Sequence, residues 1–268
     1  MFNTVLKMHR ALFARRVFRK FNTQLFRLGL SGLGVMNYEN DRVSGERYLV
    51  RRLLHKLVKS PRPVFFDVGA NVGNFSAALS DAFPEATVHA FEPHPENHKL
   101  LVARSDSRKV KCHCVAVGAV KGSAKLFDHS VGNGSEHATL HEAVISDLHH
   151  DNVTVIDTQV CTLDDIVFQE QIDFIDFLKI DTEGHELFVL QGASRLLAEC
   201  KVGCIQFEFN EMNTVSRVFF SDFRKVLANY DLFRLLPKGL LPLGNSPLRT
   251  ELFGFQNIVA IPKKQPIA

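Results

Sequence analysis

Four carboxylates stand at the ends of apolar runs, where a strand emerges from a core and meets a ligand. Val64 to Phe66 end on Asp67, ATVHAF ends on Glu92, FIDFLKI ends on Asp181, and Val202 to Phe209 carries Glu208 near its close. Charges at buried strand ends are unfavourable unless paired, whereas a cationic ligand with an ammonium group would favour them. The turn after Asp181 reads TEGHE, so Glu183, His185 and Glu186 lie beside it. A histidine with an ordinary pKa near 6.5 can accept a proton at neutral pH, which makes His185 the candidate general base and Asp181 the orienting acid, the alternative being that His185 caps the following helix or joins a hydrogen-bond network with Glu183 and Glu186. Asp181, Glu183 and Glu186 could also hold Mg²⁺ through carboxylate oxygens, but hydrogen-bonding and base roles account for them as well, and no metal is assigned.

The element that must position this chemistry is Phe65 to Gly73, FFDVGANVG. An apolar strand there passes through a tight turn into a helix N-terminus, with Gly69 and Gly73 allowing close approach of backbone and helix. A dinucleotide requires three glycines, because its pyrophosphate lies against bare backbone at the second. Asn71 occupies that position, and Asp67 would repel a pyrophosphate, so S-adenosylmethionine fits better than NAD. Glu92, nineteen residues beyond Gly73, can accept hydrogen bonds from both hydroxyls of a ribose.

A chain of 268 residues with 46% apolar content can bury one α/β core with a modest extension. Seven of its 32 basic residues, Lys7 to Arg27, precede the first acid, Glu39, and the remainder is mildly acidic. A nucleic-acid binder would spread basic charge over the folded body, so no nucleic-acid partner is expected. Five cysteines, an odd number without a CxxC pair, argue against a disulfide framework or metal site and for a reducing, cytoplasmic compartment.

Residues 1–30 read as helical, with Val5, Leu6, Leu12, Phe13 and Val17 at helical spacing interrupted by Arg16 and Lys20. Three readings stay open: a solvated or core-capping helix pair, a helix held at an anionic membrane surface, or a transit-like segment. A second helix follows Ser44 with Leu49, Val50, Leu53, Leu54, Leu57 and Val58 as its stripe, which should cover the sheet. Residues 1–60 are thus taken as a basic helical extension and cap, and 61–268 as the cofactor domain. In the latter, β-α-β-α-β from Val64 to Val117 is followed by a polar, histidine-rich stretch over 128–152, read as a substrate-facing lid. His129, His137, His141, His149 and His150 in it match no helical metal motif. Beyond it come a strand at Thr158 to Leu163, a strand at Phe174 to Ile180 and a helix at Leu187 to Cys200. A strand at Val202 to Phe209 and a helix at Val215 to Tyr230 follow, and strands at Leu232 to Leu236 and Phe255 to Ile261 close the chain.

With DVGANVGNFS, AFEPHPEN, CTLDDIV, LKIDTEGHELFVLQGA and FEFNE together, the chain resembles the FkbM family of S-adenosylmethionine-dependent methyltransferases. NYENDRVSGE, FRLLPKGLLPLGN and NIVAIP extend the resemblance from about Gly29 to Pro262. It implies a Rossmann-like fold, a seven-stranded mostly parallel sheet with an antiparallel C-terminal strand, and O-methylation of a sugar, glycan or polyketide-type small molecule. It also places the methionine end of the cofactor on Asp67, Gly69, Ala70, Asn71, Gly73 and Asp181, the ribose on Glu92 with Pro93, and the adenine along Ala116 and Val117. No acid is seen there for the adenine amine. Asp181, Glu183, His185 and Glu186 would face the methyl group and its acceptor.

Two other functions compete. A nicotinamide oxidoreductase is disfavoured by Asp67 and Asn71. A non-catalytic cofactor-binding scaffold at a membrane has no need of the ionisable cluster DTEGHE. The acceptor and the oligomeric state are not legible.

Overall fold

In a computed structural model of the chain, residues 2–105, 109–129, 138–141 and 153–263 are described. Its strands are β1 (Val64–Val68), β2 (Thr87–Phe91), β3 (Val110–His113), β4 (Ala116–Val117), β5 (Gly122–His129) and β6 (Val153–Cys161). They continue with β7 (Phe177–Ile180), β8 (Ile205–Phe209), β9 (Tyr230–Leu236), β10 (Gly239–Pro242) and β11 (Gln256–Pro262). Eight form one sheet in the order β10-β9-β11-β8-β7-β1-β2-β3. The five from β3 to β8 run parallel, while β11, β9 and β10 are antiparallel additions.

This is the expected α/β fold with an antiparallel end, with one strand more. The turn at Lys238 folds β10 back on β9 and makes the eighth. A separate three-stranded sheet, β4-β6-β5, was not anticipated, because Val110 to Val117 reads as one strand. In fact the pairing with β2 stops at His113, Cys114 is exposed, and Ala116 and Val117 pair instead with β6.

The two faces of the main sheet have different chemistry, and the period of two fixes which residue goes where. One face carries Phe66, Val68, Leu178, Ile180, Phe207 and Phe209 into a large apolar cluster. That cluster is completed by helices α5 (Leu163–Gln169), α6 (Glu186–Gln191), α7 (Ser194–Ala198) and α9 (Phe220–Val226), α8 being Met212–Ser216. The other face starts apolar with Phe65, Phe177 and Cys204. Towards the carboxyl ends it turns polar, since the register sets Asp67 beside Lys179 and Lys179 beside Gln206.

That second face is covered by residues 46–57, a helical run containing a π-turn at Leu49–Leu53. Leu49, Val50, Leu53 and Leu54 are buried on Phe65, Val88, Phe177 and Val259, so the stripe read from the sequence does face the sheet. Further helices are α1 (Phe2–Phe13), α2 (Arg19–Gly32), α3 (Asn74–Ala82) and α4 (Pro95–Ser105), with single turns at Arg16–Phe18, Asp41–Ser44 and Pro247–Thr250.

Three continuous elements expected from the sequence are broken. Leu187 to Cys200 divides at Gly192, where an added Cβ would overlap the carbonyl oxygen of Gly118, so the backbones of α6 and the second sheet touch. Val215 to Tyr230 divides at Arg217, which has a positive φ of 55°. Phe174 to Ile180 enters the sheet only at Phe177, its first half reduced to a bridge from Ile175 to Val202.

None of residues 3–33 is buried. α1 and α2 hold each other through the ring of Phe13 against Phe18 and Phe21, and through the Asn22 side-chain amide, which donates to the Phe13 carbonyl. They therefore do not cap the core, in contrast to one expectation for this segment. No described helix is long and apolar enough to cross a membrane.

Candidate active site

Because β1, β2, β7 and β8 are parallel and in register, their ends arrive at one edge. Val68 is level with Phe91 and Ile180, and Ile180 with Phe207, so Gly69, Glu92, Asp181 and Glu208 come next to one another. The chain leaves β1 by a turn in which the Gly69 and Ala70 amides both donate to the Phe91 carbonyl at 3.0 Å. Gly69 and Gly73 both take positive φ there, as does Asn71 at 49°.

Two cavities open on this edge. The larger, about 1290 Å³, is walled by α3 and the helical run 46–57, and Lys179, Asp181, Glu183, Glu208 and Asn210 contribute to its lining. The smaller is lined by Glu92, Pro93, Ala116, Val117 and Leu126 and closed down to about 50 Å³ by Ala138, Thr139 and Leu140. Gly69, Asn71, Asp181 and Glu183 line both. The cavities are thus two ends of one site with the Asp181 turn at the junction.

Glu92 is almost fully buried, and each of its carboxylate oxygens accepts one backbone N–H at 2.8 Å, from Asn71 and from His94. Burial pushes its carboxyl up to about 7, against the lowering effect of those two bonds. Each oxygen keeps a lone pair for a further donor from the smaller cavity.

Asp67 lies under the site instead of in its wall. It has no exposed surface and lines neither cavity, and Ser76 Oγ donates to its Oδ2 at 2.6 Å. Its other oxygen is buried without a hydrogen-bond partner. Burial raises its pKa, and Lys179 opposes the rise. Direct contact with a ligand ammonium, expected from the sequence, is blocked by this burial; Asp67 acts on the site through Lys179.

Lys179 is the residue the sequence reading missed. It sits in a strand of apolar neighbours, and its period-two position puts it on the face that turns polar. Its Nζ lies 2.7 Å from Asp181 Oδ2 and 5.0 Å from the centre of the Phe75 ring. Burial works against its charge, but Asp181, Asp67 and Glu46 outweigh burial and raise its pKa. An ammonium held in this way fixes the Asp181 carboxylate at the junction.

Glu208 faces the same cluster. Burial, with Asp181 and Glu183 nearby, raises its carboxyl well above the usual carboxylate range. The Asn210 side-chain amide donates to its Oε2 at 3.3 Å.

His185 does not take the base position expected of it. Its Nδ1 is 3.3 Å from His141 Nε2, and its Nε2 is pressed towards Gly118, where an added Cβ would stand 3.1 Å away. Its ring stacks on Phe188 with centroids 4.6 Å apart, and it lines only the smaller cavity. Burial, followed by His141, lowers its pKa to about 3. A histidine that weakly basic is a poor proton acceptor at neutral pH.

Glu186 also has other work than facing an acceptor. Its Oε1 accepts from the Thr182 amide at 3.0 Å, the Gly184 amide at 3.1 Å and the Thr182 hydroxyl at 3.2 Å, clamping the turn that carries Glu183. Glu183 itself has a positive φ of 55°, a strained backbone for a non-glycine residue, and the clamp holds it there.

Of the histidine-rich stretch, His137, His149 and His150 lie outside the described residues, as does the greater part of the lid reading. The described piece, 138–141, sits on the smaller cavity. Thr139 exchanges backbone hydrogen bonds with Phe127, and its hydroxyl donates to the Glu183 carbonyl at 2.8 Å.

Residues 67–232 match the family model described as Methyltransferase FkbM domain. Methyltransferase sdnD of Sordaria araneosa is 28% identical over 155 residues, 48% of this chain and 60% of that protein. The 31-O-demethyl-FK506 methyltransferase FkbM of Streptomyces tacrolimicus is 30% identical over 164 residues, 52% of this chain and 63% of that protein. Hexuronic acid methyltransferase AglP of Haloferax volcanii is 27% identical over 156 residues, 57% of this chain and 58% of that protein. The chain spans about three-fifths of the length of these curated relatives.

Proposed function

The chain belongs to the FkbM methyltransferase family, and from that premise we propose that it transfers a methyl group from S-adenosylmethionine to a hydroxyl oxygen of a small-molecule or glycan acceptor. The observation that carries this reading is the pair of cavities meeting at Gly69, Asn71, Asp181 and Glu183. One end offers a carboxylate and apolar walls, suited to a nucleoside; the other is wide and lined with acids, suited to a hydroxylated acceptor.

The residues present fit such a cofactor in kind. Glu92 would hold the ribose hydroxyls, Pro93, Ala116 and Val117 would flank the adenine, and the Gly69 to Asn71 backbone with Asp181 would hold the methionine end. When bound, the cofactor supplies an electrophilic methyl group on a sulfonium centre. Ala138, Thr139 and Leu140 line the same cavity and would lie against the nucleoside end.

The acceptor's hydroxyl needs alignment first and a proton acceptor second. Asp181, fixed by Lys179 Nζ, orients the hydroxyl from the junction. Glu208, which lines the same cavity as Asp181, is placed to take the proton on a carboxylate oxygen. Asp67 and Ser76 keep Lys179 in place from below.

Calorimetry with S-adenosylmethionine and NAD in parallel tests the cofactor, and mass spectrometry of products from an acceptor panel tests the transfer. Binding of NAD in preference to S-adenosylmethionine would return the oxidoreductase reading.

We also propose that residues 2–32 add affinity for an anionic membrane surface, supported by their seven basic residues and by the exposure of Val5, Leu6, Met8, Leu12 and Val17.

A further inference from the structure

We infer that the mouth of the larger cavity holds an anion subsite formed by Arg47, Arg51 and Arg52, and that the acceptor carries a phosphate or carboxylate group. The inference rests on the reading that this cavity receives the acceptor.

The helical run 46–57 divides its residues between two tasks. Leu49, Val50, Leu53 and Leu54 are buried on the sheet, while Arg47, Arg51 and Arg52 are exposed and line the larger cavity. The π-turn at Leu49–Leu53 gives the helix more residues per turn there. Positions four and five apart then share a face, which gathers the three guanidinium groups on one patch of wall.

None of the three makes an ion pair or a side-chain hydrogen bond with any described residue. Asp41, Asp81 and Glu211 line the same cavity and leave these arginines unpaired. The other cation of the cavity, Lys179, is held by Asp181 at 2.7 Å. Like charges within one turn repel, so the cluster opposes its own helix until an anion joins it. Guanidinium forks match the paired oxygens of phosphate and carboxylate, and neighbouring forks on a cavity wall can take one such group together.

The cavity therefore has two poles. Asp181, Glu183 and Glu208 form the carboxylate pole at the strand ends, where a hydroxyl would be presented, and the arginines form the cationic pole on the helical wall. A volume of about 1290 Å³ leaves room for a molecule that reaches both. A neutral acceptor would use only one.

The test is calorimetry on the full chain with three probes: inorganic pyrophosphate, glucuronate and glucose. The parent protein should bind one or both anions at least about tenfold more tightly than glucose, the scale of one charge-assisted contact. Joint substitution Arg51→Gln and Arg52→Gln should remove that difference, and Arg51→Lys with Arg52→Lys should retain part of it. Preference for pyrophosphate assigns a phosphate group to the acceptor, and preference for glucuronate a carboxylate. Equal binding of all three probes, or unchanged anion binding in the Gln variant, overturns the subsite. S-adenosylmethionine is titrated alongside: parent and variant should bind it equally. Failure of the parent to bind it would count against the cofactor assignment and leave the anion result to be read independently.

Discussion

The carbonyl oxygen of Asp181 fills the volume where a side chain on Gly69 would be, so the two strand-end turns touch backbone to backbone. Gly69 also has a φ of +80°, so two separate costs fall on any substitution there. Gly69→Ala should destabilise the fold by at least about 2 kcal/mol, combining left-handed backbone strain with overpacking, and should abolish binding of S-adenosylmethionine. Chemical denaturation and calorimetry measure both. A variant within about 0.5 kcal/mol of the parent would show that the two turns separate readily.

The division of roles between Glu208 and His185 gives opposite expectations for two substitutions. Glu208→Gln should lower kcat by roughly 10² to 10⁴ at neutral pH with cofactor affinity retained, and raising the pH should recover part of the loss. His185→Ala should reduce kcat less than about tenfold, the effect arising through the loss of its packing on Phe188 and its contact with His141. The reverse ranking in steady-state kinetics would restore the histidine as base.

Glu186 makes stability depend on pH in a defined direction. Its carboxyl is raised to about 7, chiefly by burial, while an unfolded glutamic acid titrates near 4.3. Between these values the folded state holds the proton and the unfolded state releases it. The contribution is present at low pH and lost as pH rises to about 7. Glu186→Gln has no proton to lose, so its stability relative to the parent should improve from pH 5 to pH 8 by on the order of 2 kcal/mol. Urea denaturation at the two pH values measures the change, and an equal difference at both would mean that Glu186 titrates normally.

A chain starting at Gly29 should melt within a few degrees of the full chain, because no residue from 3 to 33 is buried. It should also lose salt-sensitive binding to vesicles containing anionic lipid, which amounts to about 1 kcal/mol per basic residue near the surface. Vesicle binding by the shortened chain equal to that of the full chain would place any lipid affinity elsewhere.

The junctions were legible where chemistry and pattern coincide. An apolar run ending on an acid, followed by glycines, announced the β1 turn, and the same logic found the Asp181 turn. What escaped was set by partners distant in sequence. The separation of β4 from β3 depends on pairing of Ala116 with Val160. The break at Gly192 depends on the carbonyl of Gly118. Lys179 looks like an interruption in an apolar strand until the register sets it beside Asp67 and Gln206. His185 was read with its solution pKa, and only the fold reveals the burial that removes its basicity. Arg47, Arg51 and Arg52 fall between the apolar positions of the 46–57 stripe, and only the fold shows that they line the cavity.

The cavity wall also bears on the order in which the chain can mature during synthesis. Leu49 and Leu54 share their core with Leu235 and Val259, and the guanidinium of Arg234 donates to the carbonyl of Leu33, 201 residues earlier. The helical run 46–57 is thus made near the beginning of translation, but its seat is completed only when β9 and β11 have left the ribosome. Until then the part of its apolar face that meets Leu235 and Val259 is uncovered, although Phe65, Val88 and Phe177 of the parallel sheet are already available. A chain ending before Gln256 would retain each carboxylate of the site and all three wall arginines, yet it would lack the strand that holds the wall upright.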